Sequence, residues 1–203
     1  SYPDMAKLAG AEPVILKTMI EDNFKITPDK LRYAISNKTK MVVFNSPSNP
    51  TGVSYSKNEL AALGEILLEH DEIIIVTDDI YEHILWGQDK FFNIVNACPG
   101  LHDRTVVVNG VSKAYSMTGW RIGYAGGPES IIKGMKKIQS QSTSNASSIA
   151  QAAAVAALDG DQSYIKVSTR IFKERHDFVL KSLQDIDGIE CLPSEGTFYS
   201  FPD

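Results

Sequence analysis

Residues 109–123 read NGVSKAYSMTGWRIG, and the rest of the sequence is organised around them. They follow an apolar, β-branched run at residues 105–108, so Lys113 is expected just beyond the end of a buried strand. Most lysines lie on the protein surface, and an isolated Ser-Lys pair would be interpreted that way. However, Arg121 follows closely, and a lysine at a strand end near an arginine also suits Schiff-base formation beside a phosphate-bearing ligand.

Outward from this stretch, strand-like apolar runs alternate with helix-like segments in both directions. Strands are predicted at residues 13–16, 41–44, 73–76, 106–108 and 121–125, with two more short ones within 189–201. Helices are predicted from residue 28, from residue 56, and over 130–138, 149–158 and 164–186, with turns over 86–100 and a polar loop over 140–148. The alternation predicts an α/β fold with a mostly parallel sheet flanked by helices.

Local signals support individual elements of this prediction. Thr27 is the expected N-cap of a helix whose first residue is Pro28, and residues 56–59 form a capping box before an apolar helical face. The run at residues 41–44 is apolar at every position, which predicts a strand buried on both faces.

The composition excludes several classes of protein. The 203 residues are 43% hydrophobic and carry a net charge of −5, which does not suit a nucleic-acid-binding surface. No apolar run has the length of a membrane span. Cys98 and Cys191 are far apart, so we expect reduced thiols and a cytoplasmic location, and the four histidines show no metal-ligand spacing.

Three polar clusters follow predicted strands, at residues 45–52, 78–81 and 109–121. In a parallel sheet, the carboxyl ends of neighbouring strands meet at one edge, which is where ligands bind. We therefore expect these clusters to converge. The sequence contains no GxGxxG motif and no P-loop, so a dinucleotide site and a nucleotide-phosphate loop are both disfavoured.

The converging residue types suit one ligand, pyridoxal phosphate. Lys113 can be the amine that forms the Schiff base, and Asp78 can pair with the pyridine nitrogen. Tyr81 and Asn49 can hydrogen-bond the ring oxygen, and Arg121 offers a fork for the phosphate.

Each of these residues also has an ordinary structural explanation. Asp78 or its neighbour Asp79 could cap a helix, Tyr81 could be a core aromatic, and Asn49 could be a turn residue. Arg121 could form a surface ion pair. The occurrence of all of them at strand ends, in this order, favours the cofactor site.

Three motifs resemble those of the class I and II aminotransferases, and the resemblance extends over essentially the whole chain. Residues 110–123 resemble the Schiff-base-lysine signature, and residues 48–52 resemble the Ser-Asn-Pro-Thr-Gly loop. Residues 78–82 are similar to the Asp-Glu-Ile-Tyr-Glu segment, with Asp79 in place of the usual glutamate. The subgroup that the chain resembles most is the bacterial aspartate type.

The resemblance implies a fold type I large domain, a homodimer, bound pyridoxal phosphate and a role for each site residue. Lys113 is the implied Schiff-base lysine and general base, and the other implied contacts are Asp78 to the pyridine nitrogen, Tyr81 and Asn49 to the ring oxygen, and Arg121 to the phosphate. Gly110 stands where many members have a phosphate-binding serine, and Ser112 is the candidate to replace it.

The resemblance also suggests how the chain is divided. Residues 1–160 correspond to the cofactor-binding large domain, partial at its N-terminus, and residues 161–203 to a linking helix and the beginning of a small α+β domain. The family's phosphate-capping loop, ring-stacking aromatic and substrate-carboxylate arginine are not in the sequence. We therefore expect the chain to be a piece of a longer protein.

The implied activity is amino transfer between an L-amino acid, such as aspartate, and a 2-oxo acid, such as 2-oxoglutarate, by a ping-pong mechanism. A lyase on the same scaffold would use the same residues. A ligand-sensing module fused to a DNA-binding domain is a further alternative, and the isolated 203 residues could also be inactive.

Overall fold

The computed structural model describes residues 1–87 and 90–203, which form a four-stranded sheet with helices around it. The strands are β1 (Met41–Asn45), β2 (Ile74–Asp78), β3 (Thr105–Gly110) and β4 (Gly123–Gly126), in that order across the sheet. β1, β2 and β3 are parallel, and β4 is antiparallel to β3. The prediction of a mostly parallel sheet flanked by helices is confirmed.

Seven helices surround or extend from the sheet in the described parts of the chain. They are α1 (Tyr2–Leu8), α2 (Pro28–Ala34), α3 (Lys57–Leu68), α4 (Ile94–Ala97), α5 (Glu129–Ser142), α6 (Ser148–Asp159) and α7 (Ser163–Gln184). Both predicted caps are present. The Thr27 side chain accepts a hydrogen bond from the Lys30 amide at 3.2 Å, and Ser56 and Glu59 form the reciprocal capping box at the start of α3.

The main core lies between the sheet and α2, α3 and α4. Its fully buried side chains include Leu67, Ile73, Ile75, Ile94 and Leu101, each 0% exposed. In comparable cores, truncation of one such side chain to alanine costs about 2–5 kcal/mol, so this cluster is a major source of the stability of the fold.

The Arg104 side chain links the end of α3 to the segment that leads into β2. Its guanidinium donates to the carbonyls of Leu67 at 2.6 Å and Ile73 at 3.0 Å, and also to that of His70. Arg104 is partly buried, and its side chain therefore ties the last turn of α3 to the backbone that leads into β2.

Two strand predictions are wrong in part. Residues 13–16 are neither strand nor helix in the structure. β1 is not buried on both faces, because Met41 and Val43 are 55% and 39% exposed while Phe44 packs in the core. β1 is one of the two edge strands of the described sheet, and only the face that carries Val42 and Phe44 packs against the core.

The antiparallel strand begins later than predicted. Arg121 has a left-handed backbone conformation, with φ of 51°, so the regular strand starts at Gly123. The helix predicted from residue 130 to 138 continues to Ser142, which shortens the polar loop. The predicted turn region 86–100 contains α4, and its residues 88 and 89 lie outside the described part of the chain.

The two short strands predicted within residues 189–201 do not form a pair with each other. Instead, single bridges join Gly196 to Leu85 and Cys191 to Pro202. The Gly52 carbonyl accepts hydrogen bonds from two amides of this segment, and the Glu195 carbonyl accepts one from Trp86 at 2.8 Å. The segment therefore returns to the loops at the carboxyl edge of the sheet, which local periodicity cannot predict.

Among the described residues, no helix combines the length and hydropathy needed to cross a membrane.

Candidate active site

The three polar clusters identified in the sequence do converge. Asn45 at the end of β1 lies in register with Asp78 at the end of β2, and Asp78 lies in register with Val108 of β3. The loop that carries Lys113 begins directly after Gly110, the last residue of β3. Parallel pairing thus brings all three strand ends to one edge of the sheet.

The first loop is held by its own polar groups. The Asn45 side chain donates to the Asp78 carbonyl at 3.1 Å and accepts from the Asn49 amide at 2.8 Å, which links β1, β2 and the loop. Gly52 has a φ of +71°, and a β-carbon there would lie 2.3 Å from the β-carbon of Ser194. Only glycine fits this position, so the turn that presents Asn49 depends on it.

Asp78 accepts a hydrogen bond from the first residue of the N-terminal helix α1. The Tyr2 hydroxyl donates to Oδ2 of Asp78 at 2.5 Å. Burial, reinforced by the neighbouring Asp78 carboxylate, raises the pKa of Tyr2 above its ordinary value, so the phenol keeps its proton and remains a donor. Tyr2 was not identified from the sequence, since it lies 76 residues from its partner and no local pattern marks it.

Tyr81, Asn49 and Lys113 lie together. Tyr81 is only 2% exposed, and the Lys113 Nζ atom is 5.6 Å from the centre of its ring. Burial raises the pKa of Tyr81, whereas a hydrogen bond from the Asn49 side chain opposes the rise, and the Tyr199 hydroxyl lies 2.8 Å from that of Tyr81. The structure therefore unites an amine, a phenol and an amide at the end of the sheet.

The C-terminal segment adds two aromatic residues that the sequence prediction missed. The Phe198 ring centre is 5.6 Å from the Lys113 Nζ atom, and the Tyr199 hydroxyl bonds that of Tyr81. Both residues follow Gly196 in a segment where strands were predicted. Because Tyr199 is 118 positions from Tyr81, only the folded chain reveals the contact.

Arg121 and Ser112 are less closely tied to this group. Ser112 is partly exposed and adjoins Lys113 in the chain. The Arg121 side chain is exposed and donates to the Thr118 carbonyl at 2.8 Å, a contact within its own turn. This hydrogen bond joins Arg121 to its own turn and not to Lys113 or Tyr81. The role of Arg121 as a phosphate ligand therefore stays a prediction.

Asp79 has a different environment from Asp78. Its side chain is 1% exposed and accepts hydrogen bonds from Thr77 at 2.5 Å and from the Asn93 amide at 2.8 Å. Burial raises the pKa of Asp79 to about 6, and these two hydrogen bonds only partly offset the effect. Asp79 is therefore a buried carboxyl whose partners, Thr77 and Asn93, belong to the fold, whereas Asp78 is half-buried at the end of β2.

This raised pKa predicts a pH-dependent contribution to stability. Between about pH 4 and pH 6, folded Asp79 keeps a proton that the unfolded chain has released, so the free energy of unfolding falls as pH rises through this window. Asn at this position can still bond both neighbours but does not titrate. We expect the stability of Asp79→Asn, relative to wild type, to increase by about 2–3 kcal/mol from pH 4 to pH 7.

Denaturant unfolding of the full-length protein at the two pH values measures this difference. The control is Glu69→Gln, at an exposed carboxylate whose pKa is lowered by its hydrogen bond with Arg32; its stability relative to wild type should not rise with pH. A difference between Asp79→Asn and wild type that does not change with pH would contradict the assignment of a shifted pKa to Asp79.

No group of three or more His, Cys, Asp or Glu side chains in the described parts of the chain is arranged to hold a metal ion. The candidate site itself is built from amine, carboxylate, phenol and amide groups.

A family model described as aminotransferase class I and II matches residues 1–203. The chain belongs to this family. As an aminotransferase chain, it is 58% identical over 203 residues to the aspartate/prephenate aminotransferase of Nitrosomonas europaea. It is 50% identical over 202 residues to the aspartate aminotransferase of Bacillus subtilis. Both comparisons cover 100% of this chain and 51% of the relative, so the chain spans about half the length of the curated relatives it matches.

Solved aminotransferase structures share the fold of this chain. The aspartate aminotransferase of Rhizobium meliloti superposes with a TM-score of 0.96 at 46% identity, covering 99% of this chain and 50% of that one. The aspartate aminotransferase of Thermus thermophilus with maleate gives 0.92 at 38% identity, covering 100% and 52%. The resemblance to aspartate-type aminotransferases that the three motifs indicated is thereby confirmed.

Proposed function

We propose that the full-length protein is a pyridoxal-phosphate-dependent aminotransferase that moves an amino group between an L-amino acid, such as aspartate, and a 2-oxo acid, such as 2-oxoglutarate. The observation that carries this proposal is the position of the Lys113 amine, 5.6 Å from the Tyr81 ring centre at the edge where β2 ends in Asp78. The family of the chain and the names of its relatives support the same activity.

The side chains at this edge fit pyridoxal phosphate chemically. Such a ligand needs an amine for its aldehyde, a carboxylate for its protonated ring nitrogen and donors for its ring oxygen. Lys113 is the amine, and Asp78 is the carboxylate, oriented by the Tyr2 hydroxyl. The hydrogen bond that the Asn49 side chain donates to Tyr81 brings two candidate donors close together.

The phosphate group of the cofactor needs contacts of its own, and the stretch after β3 that carries Lys113 also offers polar side chains for it. We propose that Arg121 and Ser112 contact it, because both follow β3 and retain exposed polar groups. The guanidinium of Arg121 has further N–H donors beyond the one bonded to Thr118, so it can still form a charge-assisted contact with a phosphate.

Each residue then has a defined task. When bound, pyridoxal phosphate supplies an aldehyde for the amino group and a ring that accepts electron density. Lys113 would hold the resting cofactor, give way to the substrate amine, and then act as the general base that moves the proton from the substrate Cα to the former aldehyde carbon of the cofactor. Asp78 would hold the ring nitrogen through its side-chain oxygens. The same residues serve both half-reactions. The oxo acid formed from the amino donor therefore leaves before the acceptor oxo acid binds.

The domain division is part of this proposal. We assign residues 1–160 to the cofactor-binding large domain and residues 161–203 to the linking helix α7 and the beginning of the small domain. α7 contacts the large-domain side through the Tyr164 hydroxyl, which donates to the Ala114 carbonyl at 2.6 Å, and through Thr169, which donates to the His83 carbonyl at 3.0 Å. These bonds place the linking helix beside the Lys113 loop.

We further propose a homodimer located in the cytoplasm. Large apolar side chains are highly exposed on the N-terminal segment and on the later helices, among them Leu8 at 89%, Val14 at 72%, Ile138 at 73% and Phe178 at 74%. Such surfaces mark contacts with further protein. Cys98 and Cys191 are both buried and unpaired, which suits a reducing compartment.

An amino-transfer assay with the full-length protein tests the function. With pyridoxal phosphate and L-aspartate, we expect amino transfer to 2-oxoglutarate, and prephenate is the second acceptor to test because the Nitrosomonas europaea relative is named for it. Product should form only when an oxo acid is present. Consumption of the amino acid that does not depend on an oxo acid would instead indicate a lyase on the same fold.

A further inference from the structure

The hydroxyl of Tyr199 meets that of Tyr81 inside the site. The two oxygen atoms are 2.8 Å apart, and the two rings make an edge-to-face contact with centres 5.8 Å apart. Tyr81 is thereby in contact with three polar groups of the site: the Tyr199 hydroxyl, the Asn49 side chain and the Lys113 amine above its ring.

The segment that carries Tyr199 is held firmly in place. The Thr197 amide donates to the Ile84 carbonyl at 2.8 Å, and the Thr197 hydroxyl, in a residue with 0% exposure, accepts from the Tyr199 amide at 3.2 Å. The Phe198 ring packs between Phe172 of α7, at 5.5 Å, and Tyr81, at 5.6 Å, between ring centres. Tyr199 therefore approaches Tyr81 from a fixed backbone.

A phenol has one proton to donate and can accept two hydrogen bonds. If Tyr81 donates its proton to the ring oxygen of a bound ligand, its own oxygen can accept from Asn49 and from Tyr199 at the same time. Hydrogen bonds in such a chain polarise one another, so the bond from Tyr199 makes Tyr81 a stronger donor.

We propose that Tyr199 is a positioning residue, which donates to Tyr81 and thereby strengthens the hydrogen bond that Tyr81 makes to the cofactor. This proposal rests on the proposed function, because it requires a bound ring oxygen as the acceptor. The proposal gives Tyr199 a role in cofactor chemistry, although it belongs to residues 161–203, which we assign outside the large domain.

The test is a pH titration of the visible absorption of the full-length protein loaded with pyridoxal phosphate. A hydrogen bond donated by Tyr81 stabilises negative charge on the oxygen that accepts it, so a weaker bond should shift the titration midpoint upward. For Tyr199→Phe, which keeps the ring and removes only the hydroxyl, we expect an upward shift of about half a pH unit. Tyr115→Phe, which removes a hydroxyl that donates to Gln162 at 2.8 Å, is the matched control and should titrate like wild type.

A double variant separates this role from a purely structural one. Because Tyr199 acts through Tyr81, Tyr81→Phe should shift the midpoint more than Tyr199→Phe does, and the combined variant should shift it no further than Tyr81→Phe alone. Additive shifts, or no shift for Tyr199→Phe when wild type titrates normally, would overturn the proposal while leaving the proposed function intact. Absence of a visible band in the loaded wild-type protein would overturn both.

Discussion

Alanine at position 113 is expected to abolish amino transfer, with a loss of at least about 10³-fold, because the same amine holds the cofactor and moves the substrate proton. Borohydride treatment of the loaded full-length wild-type protein should leave a pyridoxyl group on Lys113, and Lys113→Ala should carry none there. Mass spectrometry of proteolytic peptides locates the adduct.

Lys57 provides the matched control for this experiment. Its Nζ atom lies 5.7 Å from the centre of the Phe92 ring, so it is also a lysine above an aromatic ring, but it is the first residue of α3 and its ring partner is not Tyr81. Lys57→Ala should keep both the adduct and the turnover. An adduct on any lysine other than Lys113 in the wild-type protein would show that the cofactor lysine has been wrongly assigned.

Asparagine at position 78 is expected to lower the turnover number by about 10²- to 10³-fold and to weaken the retention of pyridoxal phosphate. Asparagine keeps the shape of the side chain and can still accept the hydrogen bond from Tyr2, but it removes the charge that would pair with the ring nitrogen. Steady-state kinetics and cofactor dissociation by equilibrium dialysis measure the two effects.

The neighbouring carboxylate is the control, because it differs in surroundings and not in chemistry. Asp79→Asn should keep cofactor and turnover within a few-fold of wild type, since Asp79 bonds Thr77 and Asn93 within the fold. If Asp79→Asn lost the cofactor and Asp78→Asn kept it, Asp79 would be the partner of the ring nitrogen.

The two acidic residues illustrate how far sequence alone could go. Motif resemblance indicated Asp78 as the functional member of the pair, and the structure shows different surroundings for the two, with Asp78 at the edge and Asp79 enclosed. The hydrogen bond from Tyr2 to Asp78 could not be anticipated. Hydrophobic periodicity reports which face of an element is buried, but it carries no information about which distant segment covers that face.

The errors in the strand predictions have the same origin. Short apolar runs at residues 13–16 and within 189–201 have strand-like composition, but a strand forms only where a partner strand accepts its hydrogen bonds. The Gly52 and Ile84 carbonyls take the amides of the C-terminal segment instead. β1 shows the converse case: it does form a strand, but the core packs only against the face that carries Phe44, which leaves Met41 and Val43 exposed despite a wholly apolar sequence.

By itself, the sequence determined the α/β class, the two capped helices and the convergence of Asn49, Asp78 and Lys113. These follow from local signals, namely caps and apolar periods, and from the rule that parallel strands end at one edge. Only the tertiary structure decided that Tyr2 bonds Asp78 and that Tyr199 bonds Tyr81, across 76 and 118 residues. Contacts over such separations depend on how the packed layers bring distant segments together, and no local pattern encodes them.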